Sequence, residues 1–260
     1  MVAMPAAADR LAPGTTMVAP RRSPPALATR RVAVVPRAVR ACDVVSTSAR
    51  AFVLHHTKLR PLAGVDGIRL HQADEVLPLW RAVQVEIGDP DAPLPYWAFA
   101  WGGGLAIARY LAEHRESVTG RRVLDLGSGS GLCAIAAVLA GAASVVAIDI
   151  DRFSIAAVEL NARANRCRMT TIRRDVLDDQ PPEVDVVLAG DTWYEARLAN
   201  RVLPWLERAR AAGAEVLIGD PGRRYLPARA LRELACYEVR TTTELEDLAL
   251  KQGRVYALVG

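Results

Sequence analysis

A chain of 260 residues with 51% hydrophobic side chains can bury a sizeable core, and none of its apolar runs approaches the roughly 18 residues of a membrane span. The formal net charge of +4 is unevenly placed: residues 1–50 hold eight arginines against Asp9 and Asp43, net +6, and the 25 basic and 27 acidic residues beyond them give net −2. The folded part is therefore mildly acidic, which argues against a nucleic-acid-binding catalytic domain.

Residues 1–50 are rich in Ala, Pro, Arg and Ser and almost free of acids and aromatics, so they read as a disordered tail. An Arg-rich, acid-poor composition also suits an organelle transit peptide, which would place the protein in a mitochondrial matrix. The 31 arginines against two lysines point instead to a GC-rich bacterial reading frame and a cytoplasmic protein. Residues 51–115 form a second segment. It holds a short element at Ile68–His71, a helical stretch from Asp74 to Glu86 and a proline-rich break at Asp89–Pro95. Tyr96-Trp97-Ala98-Phe99-Ala100-Trp101 follows, with Gly102, Gly103 and Gly104 opening an amphipathic helix to about residue 114. Four of the 14 aromatics fall within those six positions, which suggests a wall.

Residues 116–260 alternate regularly. Strands are expected at 121–126, 144–149, 169–174, 184–190 and 214–219, and helices at 131–140, 152–165, 195–211 and near 227–235. Such alternation implies a parallel sheet wound by right-handed crossovers. A sixth strand near 236–242 and a seventh at 253–259, separated by Glu244–Gln252 with no full helix, suggest a hairpin whose last strand enters antiparallel. The fold class expected is α/β, a Rossmann-like doubly wound sheet of seven strands with an antiparallel last strand. Cys42, Cys133, Cys167 and Cys236 form no C-x-x-C pair, and His55, His56, His71 and His114 have no ligand spacing. Reduced thiols and no metal site are expected.

In such a sheet ligands bind beyond the carboxyl ends of the strands, near the point where strand order reverses. The first strand, Val123-Leu124-Asp125-Leu126, runs into Gly127, Gly129 and Gly131. These let the backbone turn tightly and approach a ligand. A dinucleotide fingerprint would need glycine at the sixth position, which is Leu132. Gly-x-Gly-x-Gly with Asp125 two residues ahead resembles the first motif of the class I S-adenosylmethionine methyltransferases. Asp149 closes the second strand, followed by Ile150, and stands where an acid would accept from both ribose hydroxyls. Asp149 could instead cap the next helix, but Asp151 is better placed for that. Asp175, after the third strand, is an acceptor for the adenine amino group or a solvated loop acid. After the fourth strand, Asp191 would position an acceptor amine, with Trp193 and Tyr194 flanking its ammonium through cation–π contact. The competing reading is a capping Asp followed by core aromatics. Gly219-Asp220-Pro221-Gly222-Arg223 would line the acceptor channel or make an ordinary turn.

Pro95–Gly103, Leu124–Gly131, Gly190–Tyr194 and Leu217–Arg223 together resemble the lysine methyltransferases of the electron transfer flavoprotein β subunit and their bacterial relatives, over roughly residues 52–258. The resemblance implies S-adenosylmethionine as cofactor and a protein lysine as acceptor. It puts Asp191 and Tyr194, as Asp-x-x-Tyr, beside the target lysine and Trp101 near the methionine part of the cofactor. The expected protein is monomeric, with the electron transfer flavoprotein β subunit as partner and neither nucleic acid nor membrane. A different protein target such as a ribosomal protein, a small-molecule N-methyltransferase and a binding module without catalysis are the alternatives.

Overall fold

The computed structural model describes residues 47–240 and 250–259. Residues 1–46 of the tail expected at 1–50, Cys42 among them, and residues 241–249, which take in most of the expected link, lie outside the described residues. The first described element, α1 (Thr47–His56), begins inside the span assigned to the tail. A two-stranded hairpin of β1 (Lys58–Pro61) and β2 (Arg69–Gln72) and helix α2 (Val76–Ile87) follow. The aromatic segment makes one 3-10 turn at Tyr96–Ala98 before α3 (Gly102–Glu113).

The remaining elements are β3 (Arg122–Leu126), α4 (Leu132–Leu139), β4 (Ser144–Asp149), α5 (Arg152–Ala164), β5 (Thr170–Arg173), β6 (Val186–Gly190), α6 (Ala196–Ala211), β7 (Glu215–Asp220), β8 (Leu231–Arg240) and β9 (Leu250–Leu258). The sheet order is β5-β4-β3-β6-β7-β9-β8, parallel except that β9 runs antiparallel to both β7 and β8. The chain leaves β3 towards β4 on one side, then crosses back to lay β6 on the other. The carboxyl ends of β3 and β6 therefore diverge around a crevice.

Side chains alternate along each inner strand, as a pleat requires. Val123, Val145, Ala147, Val186, Leu188 and Leu217 face a core shared with α3, α4 and α5. Leu124, Leu126, Ile148, Val187, Ala189, Val216 and Ile218 face the opposite core, built on Trp205, Leu206 and Val202 of α6. Both faces being covered explains why these strands read as unbroken apolar runs. A third cluster joins the N-terminal segment to α5: Phe52 and Val53 of α1, Val76, Leu79 and Val83 of α2, and Trp97 and Phe99 pack on Phe153, Ala156 and Leu160.

The free edge of β2 is satisfied by side chains and not by a strand. Asn161 of α5 accepts from the His71 amide at 2.7 Å and donates to the Ser130 carbonyl at 2.8 Å. Asn165, one turn on, accepts from the Arg69 amide at 2.9 Å and donates to its carbonyl at 2.6 Å. Fully buried Asn161 thus ties the hairpin to the glycine loop, with every polar atom of its amide engaged or shielded.

The helix expected near 227–235 is absent. Ala228–Ala230 make a single 3-10 turn, and β8 starts at Leu231, five residues ahead of the expected strand. Its Ala, Leu, Arg and Glu favour a helix intrinsically, but the ladder to β9 runs from Leu231↔Leu258 to Arg240↔Leu250 and overrides that preference. Among the described side chains of this edge strand only Tyr237 and Val239 are deeply buried, so its first half lacks an alternation that would betray it.

Candidate active site

A cavity of about 520 Å³ opens at the carboxyl ends of β3, β4 and β6. Gly127 (φ +67°), Gly129 (φ +53°) and Gly131 (φ +80°) carry the chain from β3 into α4 through left-handed conformations. A Cβ built at Gly129 would meet no atom within 4 Å, so the loop presents bare backbone to the cavity. Gly131 does not line it: a Cβ there would sit 3.1 Å from Val158 of α5, so this glycine serves helix packing.

Asp149 faces the cavity with a partly used carboxylate. One oxygen accepts from Gly129 N–H and the other from Asp151 N–H, both at 2.9 Å, which leaves lone pairs on each for two further donors. Burial pushes its pKa up to about 6, against the stabilising Asp151 and Gly129 amides. Asp151, not Asp149, caps α5, accepting from Phe153 N–H at 2.9 Å. Ile150 beside it is 65% exposed, an apolar face on the cavity rim. Asp125 is almost wholly buried beneath the loop and accepts from Ala134 N–H at 3.1 Å; burial lifts its carboxyl to about 7. Asp175 lines the rim, but its carboxylate already accepts from Leu177 N–H at 3.1 Å and from Arg201 at 2.9 Å. The Arg201 contact holds its pKa below the usual carboxylate value.

The aromatic wall is Tyr96, Trp101 and Tyr194. Tyr96 stands between the other two, with ring centroids 5.5 Å from Trp101 and 4.9 Å from Tyr194. Trp101 is fixed by its indole N–H, which donates to the Tyr96 carbonyl at 2.8 Å. Burial raises the pKa of Tyr194, with Tyr96 and Glu195 adding to the effect, so its phenol stays neutral.

Trp193 does not belong to this wall. It is 1% exposed and packed in the α6-side core, off the cavity, with no hydrogen-bond partner for its indole N–H, so it cannot flank an ammonium. Thr192-Trp193-Tyr194 lies in an irregular turn between β6 and α6, and sequence alone did not reveal which ring faced inward.

Asp191 lines the cavity in an unexpected way. It adopts φ +58°, a left-handed conformation that costs a non-glycine residue about 1–2 kcal/mol. Its Oδ1 accepts from Gly103 N–H at 3.0 Å and from Arg223, and its Oδ2 accepts from Gly104 N–H at 2.7 Å. Arg223 also reaches Asp220 at 3.3 Å. The three distinctive sequence segments, 95–103, 190–194 and 217–223, are therefore one connected cluster. Residues not singled out from the sequence but lining the cavity include Ser128, Leu132, Cys133, Leu198, Val202 and Arg201. Leu198 and Val202 are one helical turn apart, and that spacing on α6 was the available signal.

The donor set fits S-adenosylmethionine. Its volume, the open glycine backbone, a carboxylate with lone pairs to spare and an apolar rim suit a nucleoside with a polar tail. That cofactor supplies a methyl group on a positively charged sulfur; the chain's own residues bind and orient it.

Residues 109–190 match the family model of the ribosomal protein L11 methyltransferase (PrmA). The electron transfer flavoprotein β subunit lysine methyltransferase of Xenopus laevis is 35% identical over 221 residues, 82% of this chain and 87% of the relative. That of Danio rerio is 38% identical over 170 residues, 63% of this chain and 66% of the relative. The ribosomal protein L11 methyltransferase of Aliivibrio salmonicida is 45% identical over 123 residues, 44% of this chain and 40% of the relative. A solved T. Thermophilus 16S rRNA N2 G1207 methyltransferase superposes with TM-score 0.49 at 17% identity, covering 79% of this chain and 50% of that one. Fold and relatives together make the chain a class I S-adenosylmethionine-dependent methyltransferase. More narrowly, it belongs to the family of the electron transfer flavoprotein β subunit lysine methyltransferases.

Proposed function

We propose that the chain transfers methyl groups from S-adenosylmethionine to lysine side chains of a protein, and that this protein is the electron transfer flavoprotein β subunit. The observation that carries the reading is the extent of the likeness to the Xenopus laevis enzyme, 221 residues, far beyond the stretch 109–190 that matches the L11 methyltransferase model. Asp149 takes the ribose hydroxyls, Ile150 an adenine face, and Asp175 with Arg201 borders the adenine edge. Asp125 orders the start of α4 under the loop. Gly127 and Gly129 cradle the cofactor's tail, and Gly131 supports them from behind.

The acceptor enters along Tyr96 and Tyr194. A lysine ammonium with an ordinary pKa near 10.4 must lose its proton, which at pH 7 costs about 4.6 kcal/mol. Desolvation against the two rings and Trp101 lowers that cost by disfavouring the charged form, and the walls hold the nitrogen in line. Incubation with recombinant electron transfer flavoprotein is expected to add multiples of about 14 Da to a lysine of the β subunit. A β subunit of unchanged mass would remove this substrate. The match of residues 109–190 to the L11 enzymes makes ribosomal protein L11 the second acceptor to assay. Methylation of L11 and not of the flavoprotein would reverse the assignment.

A further inference from the structure

We propose that Asp191 is a positioning residue that fixes the start of α3, and through it Trp101, for the cofactor, and that it does not receive the acceptor amine. The inference rests on the methyltransferase class and is independent of which protein is methylated. Three of the four acceptor positions of the carboxylate are used, two on Oδ1 by Gly103 N–H and Arg223 and one on Oδ2 by Gly104 N–H, and the side chain is 12% exposed. Those two amides are the second and third of α3, donors that a helix cannot satisfy internally, and Trp101 at the N-cap offers no side-chain bond. Asp191 supplies the missing cap from 87 and 88 residues downstream.

The helix start is held from the other side by backbone. A Cβ at Gly103 would lie 2.1 Å from the Gly219 carbonyl oxygen, and one at Gly219 would lie 2.2 Å from the Gly103 oxygen. Asp191 N–H donates to that same Gly219 carbonyl at 2.9 Å. β6, β7 and α3 thus meet at one point, and the left-handed φ of Asp191 is what aims its carboxylate at the helix. Trp101 is the residue that precedes these glycines, and it and Tyr96 line the cavity. A change at Asp191 is therefore transmitted to the cofactor wall before any acceptor arrives.

The test uses the full chain without acceptor, titrated calorimetrically with S-adenosylhomocysteine, and follows the Trp101 indole N–H resonance assigned with Trp101→Phe. Asp191→Asn is expected to weaken S-adenosylhomocysteine binding at least ten-fold and to shift the Trp101 signal. Unchanged affinity and an unchanged indole signal, with the loss confined to acceptor turnover, would overturn the proposal. So would a variant that only melts earlier. Should Asp191→Asn fail to fold, amide exchange in the unmodified protein decides. First-turn amides of a helix ordinarily exchange fast. Gly103 and Gly104 are expected to be protected, and free exchange at both would refute the cap.

Discussion

Asp149 and Asp125 carry the clearest residue-scale consequences, since both carboxyls are raised by burial, to about 6 and about 7. Each would titrate near 3.9 in the unfolded chain, so their contribution to stability is complete below about pH 4 and is lost as pH rises through those values. The cofactor-free protein should therefore lose melting temperature across this window. Ribose hydroxyls donate to an ionised Asp149, so cofactor affinity should rise with pH over the same range and level off above 7, with proton release that makes the calorimetric enthalpy depend on the buffer. A flat affinity profile from pH 5 to 8 would sink the ribose role. Asp149→Ala, which removes two charge-assisted hydrogen bonds, should weaken cofactor binding about 100-fold or more. Trp193→Phe removes an unpartnered buried N–H at the cost of a small cavity; stability is expected within about 1 kcal/mol of the parent and methyl transfer unchanged. The roles proposed for Asp149 and Asp151 could be read from position along the chain, because a strand end and a helix start differ by two residues. The roles of Asp191 and Trp193 could not, because a single left-handed residue decided which way each side chain pointed.

Among elements, α3 and the strands beneath it show why Gly103, the middle of three consecutive glycines, can carry no side chain. Gly103 and Gly219 let a helix start touch a strand end, and Gly103→Ala would force the two backbones apart. Overpacking of this kind costs about 1–3 kcal/mol or more, and the damage should extend to cofactor affinity because Trp101 moves with the helix. A thermal melt together with S-adenosylhomocysteine titration checks both. The inner strands and α4, α5 and α6 were legible because burial on both faces of the sheet, or on one stripe of a helix, leaves a pattern. β8 was misread as partly helical since an edge strand with few buried side chains leaves none. Helix α1 and strand β1 were not expected at all: α1 packs through Phe52 on α5, far along the chain, and β1 pairs with β2, which Asn161 and Asn165 hold from equally far away.

At the scale of the molecule, the cavity is built from residues 93–223. Removing residues 1–46 is therefore expected to leave cofactor affinity as it was, and a loss on deletion would show that the site reaches beyond the described residues. Topology was the most legible property, because strand and helix alternation followed by a hairpin admits few windings. The acceptor was the least legible, since the glycine loop is common to enzymes that methylate very different molecules. Transfer to protein lysine is tested most directly on the products. Methyl-labelled S-adenosylmethionine, the purified chain and a lysate are incubated, and the labelled protein is hydrolysed to amino acids. Label is expected to be recovered as methylated lysine. Label found only in RNA, in small molecules or in other amino acids would contradict it.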